Sequence, residues 1–445
     1  MSLRVFVAVL PVLLGAAASV AAQPSPAVQR VQQGSDVAAE SDTGTVQSDE
    51  GPVIGPDELI RAAVENSPAL AAARYRVEAA RQRIGQERAL PDPMLSAGWN
   101  SSGNPLPGAG LGTEPTANIG LMVTQAIPYA GKRDLRAAVA EREVAAEAVQ
   151  VDAARLDLIA RVKDAYYRLA YLASAEGVLA RNTQLLETLL RVAESRYSVG
   201  RAAQQDVIKA QSEITLVELR RERLRQERQV REGQLNALLN RAPGTPVGRL
   251  QPLQPHPFDV SVDSVLASAA AHAPMLRREE AVVARDESAV AVARRDFKPD
   301  FAVSAGYYYM GSMPAMYMAR LDIELPLQKA RRQLALAERV TSMSASRAGL
   351  TAVKRDVEAR VQEEYQVAAT ASRLARLYGE TLLPQVRLAF ESAMASYETG
   401  SVDFLSLLAS FSSVLENEMN YFESLADFHA AASRLESMTG EPIAH

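Results

Sequence analysis

Three groups of side chains in this 445-residue chain have the types and spacing to do chemistry. Met310, Met313, Met316 and Met318 crowd one short stretch, and thioethers suit a soft ion such as Cu(I). Arg320, Asp322 and Glu324 alternate with apolar neighbours, which puts their charges on one face of a strand, where they would line a wet passage. Tyr197, Gly200 and Asp206 stand in a pattern that recurs as Tyr397, Gly400 and Asp403. A carboxylate such as Asp403, repeated around a symmetry axis, would favour cations and repel itself where the passage narrows. Each group also has a plainer reading. Methionine fills irregular apolar gaps, and Asp403 stands where it could simply cap the helix after Gly400. Gly200 and Gly400 can take the positive φ of a helix break, while the tyrosines can wedge neighbouring helices.

Other chemistries are disfavoured by composition. With no cysteine there is no disulfide, thiolate metal site, cysteine nucleophile or cysteine lipidation. The histidines, His256, His272, His429 and His445, are too scattered for a metal or catalytic cluster. A net charge of −5 argues against nucleic acid as the main partner. Neither an enzymatic reaction nor a cofactor is expected.

The elements that must position these residues are legible as one unit written twice. Residues 1–22 read as a signal peptide: Arg4, an apolar run from Val5 to about Val20, then small residues for cleavage. An uncleaved anchor is the rival reading, weakened by Pro11 and Gly15 within so short a run. Residues 23–55, polar and without periodicity, read as an extended strap. A first repeat covers 56–241, a proline-rich connector 242–262, a second repeat 263–440, and a short tail 441–445. Ala89–Trp99 matches Phe297–Tyr307, Asn66–Leu70 matches Ala273–Leu276, Ile127-Pro128 matches Leu325-Pro326, and Tyr197–Gly200 matches Tyr397–Gly400. Four matches in one order make the duplication. Helices are expected over 56–88, 132–198 and 202–240, and again over 263–297, 328–398 and 402–438. Val207, Ala210, Ile214, Val217 and Leu224 form a coiled-coil seam in one half; Leu408, Phe411, Leu415, Phe422 and Leu425 form one in the other. The long helix would span ~100 Å at ~1.5 Å per residue, which suggests a rod of antiparallel helices with a turn at its far tip.

Strands are expected at about 91–101, 117–127, 299–309 and 317–327. Leu95, Ala97 and Trp99, Ile119, Leu121 and Val123, and Phe301, Val303, Ala305, Tyr307 and Tyr309 alternate with small or polar residues. Strands of this length, apolar on one face and charged on the other, fit a transmembrane β-barrel with an aqueous lumen, although a soluble antiparallel sheet shares the alternation. Trp99, Tyr307, Tyr309 and Tyr317 lie near the loops, where a lipid-facing aromatic girdle would sit. A small open sheet cannot stand in lipid, because each unpaired backbone group there costs several kcal/mol. Closure needs other copies, and three of them would supply roughly twelve strands around an open lumen.

The duplicated helix–hairpin–long-helix layout, Pro-Asp at the strand starts and Tyr-x-x-Gly at both tips resemble the TolC family of outer-membrane efflux proteins. The resemblance covers about 57–440. It implies a mainly α fold with a small transmembrane β part, a homotrimer whose twelve-stranded barrel continues as a helical barrel across the periplasm. It also implies a Gram-negative outer-membrane location, contact with lipid, and partnership with a periplasmic adaptor and an inner-membrane efflux transporter. The chain departs from the family at the tip, where Ser406 and Ala409 (first-half counterparts Asp206 and Lys209) stand at positions some members fill with aspartates. It has Gln23 where many relatives carry an acylated cysteine, so no N-terminal lipid anchor is expected. The run Ala89-Leu90-Pro91-Asp92-Pro93-Met94 resembles relatives tied to metal export, so copper-type metals stand beside organic drugs as expected cargo. An exit duct for protein secretion and a non-transporting periplasmic coiled-coil scaffold are the other functional readings.

Overall fold

The structure is a computed structural model that describes residues 53–101 and 105–443. The expected signal peptide and most of the strap lie outside the described residues.

In the first half, α1 (Pro56–Asn66) and α2 (Pro68–Arg88) lead into β1 (Met94–Asn100) and β2 (Asn118–Ile127), followed by α3 (Lys132–Ser198) and α4 (Gln204–Leu238). In the second, α5 (Val262–His272) and α6 (Pro274–Arg295) lead into β3 (Asp300–Met310) and β4 (Met313–Glu324). Then come α7 (Lys329–Arg376), a π-helical turn (Leu377–Leu382), α8 (Leu383–Thr399) and α9 (Phe404–Thr439). The 67-residue α3 is the spine. Near the sheet it meets α2, through Arg83–Glu143 and Arg88–Glu141 ion pairs, and farther along it meets α4, through Arg168–Glu227 and Arg228–Glu176. Two shorter helices therefore lie along one long one.

Four of the expected spans differ in detail as follows. The helix expected over 56–88 is broken at Ser67, and that over 263–297 at Ala273. Each break precedes a proline, whose ring disfavours α geometry in the residue before it. Ser67 then accepts a hydrogen bond from the Leu70 amide and starts α2. The long second-half helix carries its π turn immediately before Pro384, whose missing N–H cannot serve the regular ladder. The fourth strand starts at Met313 instead of about 317, so the hairpin turn is only Gly311-Ser312, with Gly311 at φ 75°. Pro314 is tolerated there because it stands beside the turn, where the ladder is irregular next to Tyr308–Met310.

The apolar interior runs along the rod. Leu158, Val162, Leu169 and Leu172 of α3 pack with Leu59, Ala63, Leu235 and Leu425. Toward the tip, Leu179, Leu186 and Leu189 of α3 meet Phe404, Leu407, Phe411 and Leu415, with Ala210 and Val217 of the α4 seam also buried. The connector is pinned at several points, among them these two. Ile54 donates its amide to Arg249 O at 2.8 Å, and Gln254 O accepts from His429 Nε2 at 2.9 Å. His429 stacks on Tyr167 at 4.6 Å, and burial, then the neighbouring charges of His256 and Lys163, lower its pKa despite that hydrogen bond. The folded chain thus binds fewer protons than the unfolded one below pH ~6.5, so stability is fullest above that value and falls as pH drops through it. His429→Gln keeps an N–H donor but no titratable charge. It is expected to flatten the decline of the thermal midpoint below pH ~6.5, measured by circular dichroism.

Candidate functional site

The four strands form one antiparallel sheet in the order β1-β2-β3-β4. Its register lines up the apolar positions row by row: Leu95–Val123–Ala305–Ala319, Ala97–Leu121–Tyr307–Tyr317, and Trp99–Ile119–Tyr309. Because side chains alternate along a strand, all of these share one face. That face is exposed, with Leu95 at 66%, Val123 at 47% and Leu321 at 62% of full accessibility. In water such a surface is costly, at ~25 cal/mol for each Å².

The opposite face is different. Thr124 and Ser304 hydroxyls meet at 2.9 Å, Arg320 Nε pairs with Asp322 at 2.9 Å, and Glu324 lies opposite Asp300. Arg320, Asp322 and Glu324 therefore share the polar face, as their alternation predicts. Tyr308 also lies there, over glycines: a Cβ on Gly120 would come within 2.2 Å of its ring, and one on Gly306 within 2.8 Å. Met316 and Met318, with Met122, are on this face too, while Met310 and Met313 pair beside the turn. The thioethers are thus spread along the sheet, and among the described residues no group of His, Asp or Glu is placed to hold a metal ion. Trp99 and Tyr309 are next to the loop ends of their strands, whereas the longer β4 places Tyr317 well inside, its ring 5.5 Å from Tyr307.

Where the sheet joins the helices, Lys132 is nearly buried and donates to Asp300 Oδ2 at 2.8 Å and Lys298 O at 3.0 Å. The Tyr129 amide donates to the other Asp300 oxygen at 2.7 Å. Asp300 belongs to the Pro-Asp pair of the second repeat, so that pair locks β3 to the start of α3. Its loss would leave a buried ammonium without its close carboxylate. Asp300→Ala is expected to destabilise the fold by about 3 kcal/mol, readable in denaturant unfolding.

At the other end of the rod the two turns have the same backbone design. Gly200 (φ 69°) and Gly400 (φ 86°) donate to Tyr197 O and Tyr397 O, and Arg201 and Ser401 amides reach back to Arg196 O and Ser396 O. These are paired C-terminal capping bonds, for which glycine supplies the left-handed conformation. The side chains are not equivalent. Tyr197 is 47% exposed, while Tyr397 is 3% exposed, against Phe404 and beneath the Arg196 guanidinium at 4.7 Å. Arg196 also donates to Tyr397 O and Glu398 O, so it ties the first turn to the second. Burial and the charge of Asp206 push the Tyr397 phenol upward, against Arg196. Arg196 was not singled out by the repeat, because the match begins at Tyr197. Asp403 caps α9, accepting from the Ser406 amide at 3.3 Å, and the Ser406 hydroxyl and amide hold its carboxyl below the usual range. The two readings of Asp403 predict different variants. Asp403→Asn preserves an acceptor and should leave bilayer conductance unchanged if capping is its role, whereas a carboxylate ring would lose cation preference in Asn and Ala alike.

No helix among the described residues is long and apolar enough to cross a membrane. Residues 59–241 and 265–441 match the family model described as outer membrane efflux protein. Protein CyaE of Bordetella pertussis (strain Tohama I) is 30% identical over 293 residues, which is 61% of this chain. The chain spans 59% of the length of that relative. Among solved structures, the outer membrane protein VceC from Vibrio cholerae superposes with TM-score 0.73 at 19% identity, covering 87% of this chain and 96% of that one. The open state of the Neisseria gonorrhoeae MtrE outer membrane channel gives TM-score 0.66 at 19% identity, covering 87% and 89%.

Proposed function

The chain belongs to the outer membrane efflux protein family, and from that premise we propose that three copies form a passive channel-tunnel through the outer membrane. The observation that carries this reading is the sheet: one exposed apolar face in register across four strands, one polar face, and two unpaired edges. An apolar face of this kind suits hydrocarbon, and only closure removes the edges. Three copies give roughly twelve strands, wide enough for a wet lumen lined by Arg320, Asp322 and Glu324. Trp99, Tyr307, Tyr309 and Tyr317 then contact outer-membrane lipid, and the helices extend the duct through the periplasm.

No bond is made or broken in this mechanism. Substrate moves down its own gradient, and energy and selection belong to an inner-membrane efflux transporter joined to the duct by a periplasmic adaptor. The helical tip, with Tyr197, Gly200, Asp206, Tyr397, Gly400 and Asp403, is the end that closes and that the adaptor opens. The barrel holds the protein in the membrane without an N-terminal lipid. Heavy-metal ions of the copper type and organic drugs are the cargo classes to test. A deletion strain is expected to lose tolerance to one of them, with the protein recovered as an outer-membrane trimer. Unchanged tolerance to copper, silver, zinc, detergents and dyes would count against efflux, and loss of a secreted protein in that strain would make the duct a secretion exit. A soluble periplasmic monomer would end the channel reading altogether.

A further inference from the structure

Each chain contains the sheet-to-helix junction twice in sequence but completes it only once. In the first junction, β2 pairs with β3, and Lys132 at the start of α3 is buried against Asp300 at the start of β3. The internal repeat gives every one of these groups a counterpart. Ala89–Trp99 aligns with Phe297–Tyr307, so Pro91-Asp92 corresponds to Pro299-Asp300. The α3 and α7 starts align through a shared contact. Arg133 donates to Arg88 O at 2.9 Å, and Arg332 donates to Asp296 O at 2.9 Å, which are equivalent carbonyls. The residue preceding each arginine is basic as well: Lys132 in one case, Arg331 in the other, the stretch from Pro326 to Arg331 being one residue longer than that from Pro128 to Lys132. Yet Asp92 and Arg331 are both exposed, and neither makes an ion pair among the described residues. Asp92 lies just before β1 and Arg331 in the first turn of α7, just after β4, and these are the two opposite edges of the sheet, so the two residues cannot meet within one sheet of this order.

The closed barrel already requires β4 of one chain to meet β1 of a second; we propose that the second junction is completed across that seam, where Arg331 of the first clasps Asp92 of the second. The register follows from the one observed. Val123 faces Ala305 and Leu121 faces Tyr307. Because Ile127-Pro128 aligns with Leu325-Pro326, Leu321 of one copy faces Ala97 of the next, and Ala319 faces Trp99. This register keeps every apolar row continuous across the seam, whereas a one-residue slip would turn the charged face of β4 toward lipid. On the inner face it sets Arg320 opposite Gly98, where a Cβ would meet nothing within 4 Å, so the long side chain has room. The charges distinguish the remaining two-residue slips, since only one register brings Asp92 to the level of Arg331. The inference rests on the closed trimeric barrel proposed above, and it names what joins the copies.

The chain has no cysteine, so an introduced pair reports on itself. Directly opposed strand residues have Cα atoms about 4.5–5.5 Å apart, within disulfide reach, while diagonal neighbours do not. The double variant Ala97→Cys, Leu321→Cys is expected to give covalent dimers and trimers on a non-reducing gel, and Leu95→Cys with Leu321→Cys only monomer. As an independent readout, Asp92→Arg should lower the temperature at which trimers dissociate in detergent by several degrees, and adding Arg331→Asp should restore it. Native trimers that link through the Leu95 pair, or that the charge swap fails to rescue, would overturn the seam and leave the channel reading intact. Absence of trimers from the unmodified protein would instead overturn the channel reading and the seam with it.

Discussion

Val123→Arg is expected to keep the protein out of the outer membrane, cutting the amount recovered there at least tenfold. Val123 sits at the middle of β2 on the apolar face, flanked by Leu95 and Ala305. An arginine on the lipid side of a barrel near the bilayer midplane costs ~2–4 kcal/mol, and the assembly would carry one in every copy. Since ~1.4 kcal/mol is a factor of ten in an equilibrium, even the lower figure is decisive. The matched control is Met122→Arg, one residue away on the polar face beside Tyr308. It should reach the membrane and change ion preference in bilayers, because it adds charge to the lumen alone. Membrane fractionation and heat-modifiable gel migration would read both. Equal recovery of the two variants would mean that the apolar face does not meet lipid.

That prediction rests on the part of the molecule most legible in the sequence. A strand has a period of two, so Leu321 and Ile323 against Arg320, Asp322 and Glu324 assign faces without any knowledge of the neighbours. Helix lengths are legible for a similar reason, and the 67-residue α3 ends at the glycine its turn requires. The breaks at Ser67 and Ala273 were also written locally, in the prolines that follow, but a helical period read across them hides a one-residue interruption. What a repeat cannot convey is how its two copies differ once folded. Tyr197 and Tyr397 each stand three residues before a glycine, yet only the second is covered, because Phe404 packs against it and Arg196 comes from the other half. Asp92 and Asp300 are likewise twins in sequence, and only Asp300 finds its lysine within the chain. Those differences are tertiary. They arise because the two halves of one chain meet different neighbours once folded, and sequence similarity does not say which.

In the proposed duct, the tip is where this asymmetry would have its largest functional consequence. Arg196→Ala is expected to raise single-channel conductance severalfold and to sensitise cells to large antibiotics that the outer membrane normally excludes. In the wild type the guanidinium covers the Tyr397 ring and donates to Tyr397 O and Glu398 O, so one side chain spans both turns. A partly desolvated cation–π contact contributes ~1–2 kcal/mol, and a hydrogen bond from a charged donor ~1.5–3 kcal/mol. In the proposed duct, losing about 3 kcal/mol from a tip held closed by this link would shift the balance of open and closed tips by roughly a hundredfold. Arg196→Lys separates the contributions: it keeps a cation near the ring but not the planar fork that reaches two carbonyls, so it should fall between wild type and Ala. Removing Arg196 also uncovers the buried Tyr397, whose hydroxyl has no hydrogen-bond partner among the described residues, so water gains access to the Phe404 side of the turn. If Ala lowers the melting temperature while conductance and antibiotic exclusion stay at wild-type values, the Arg196 link is structural, and closure of the tunnel depends on contacts between copies.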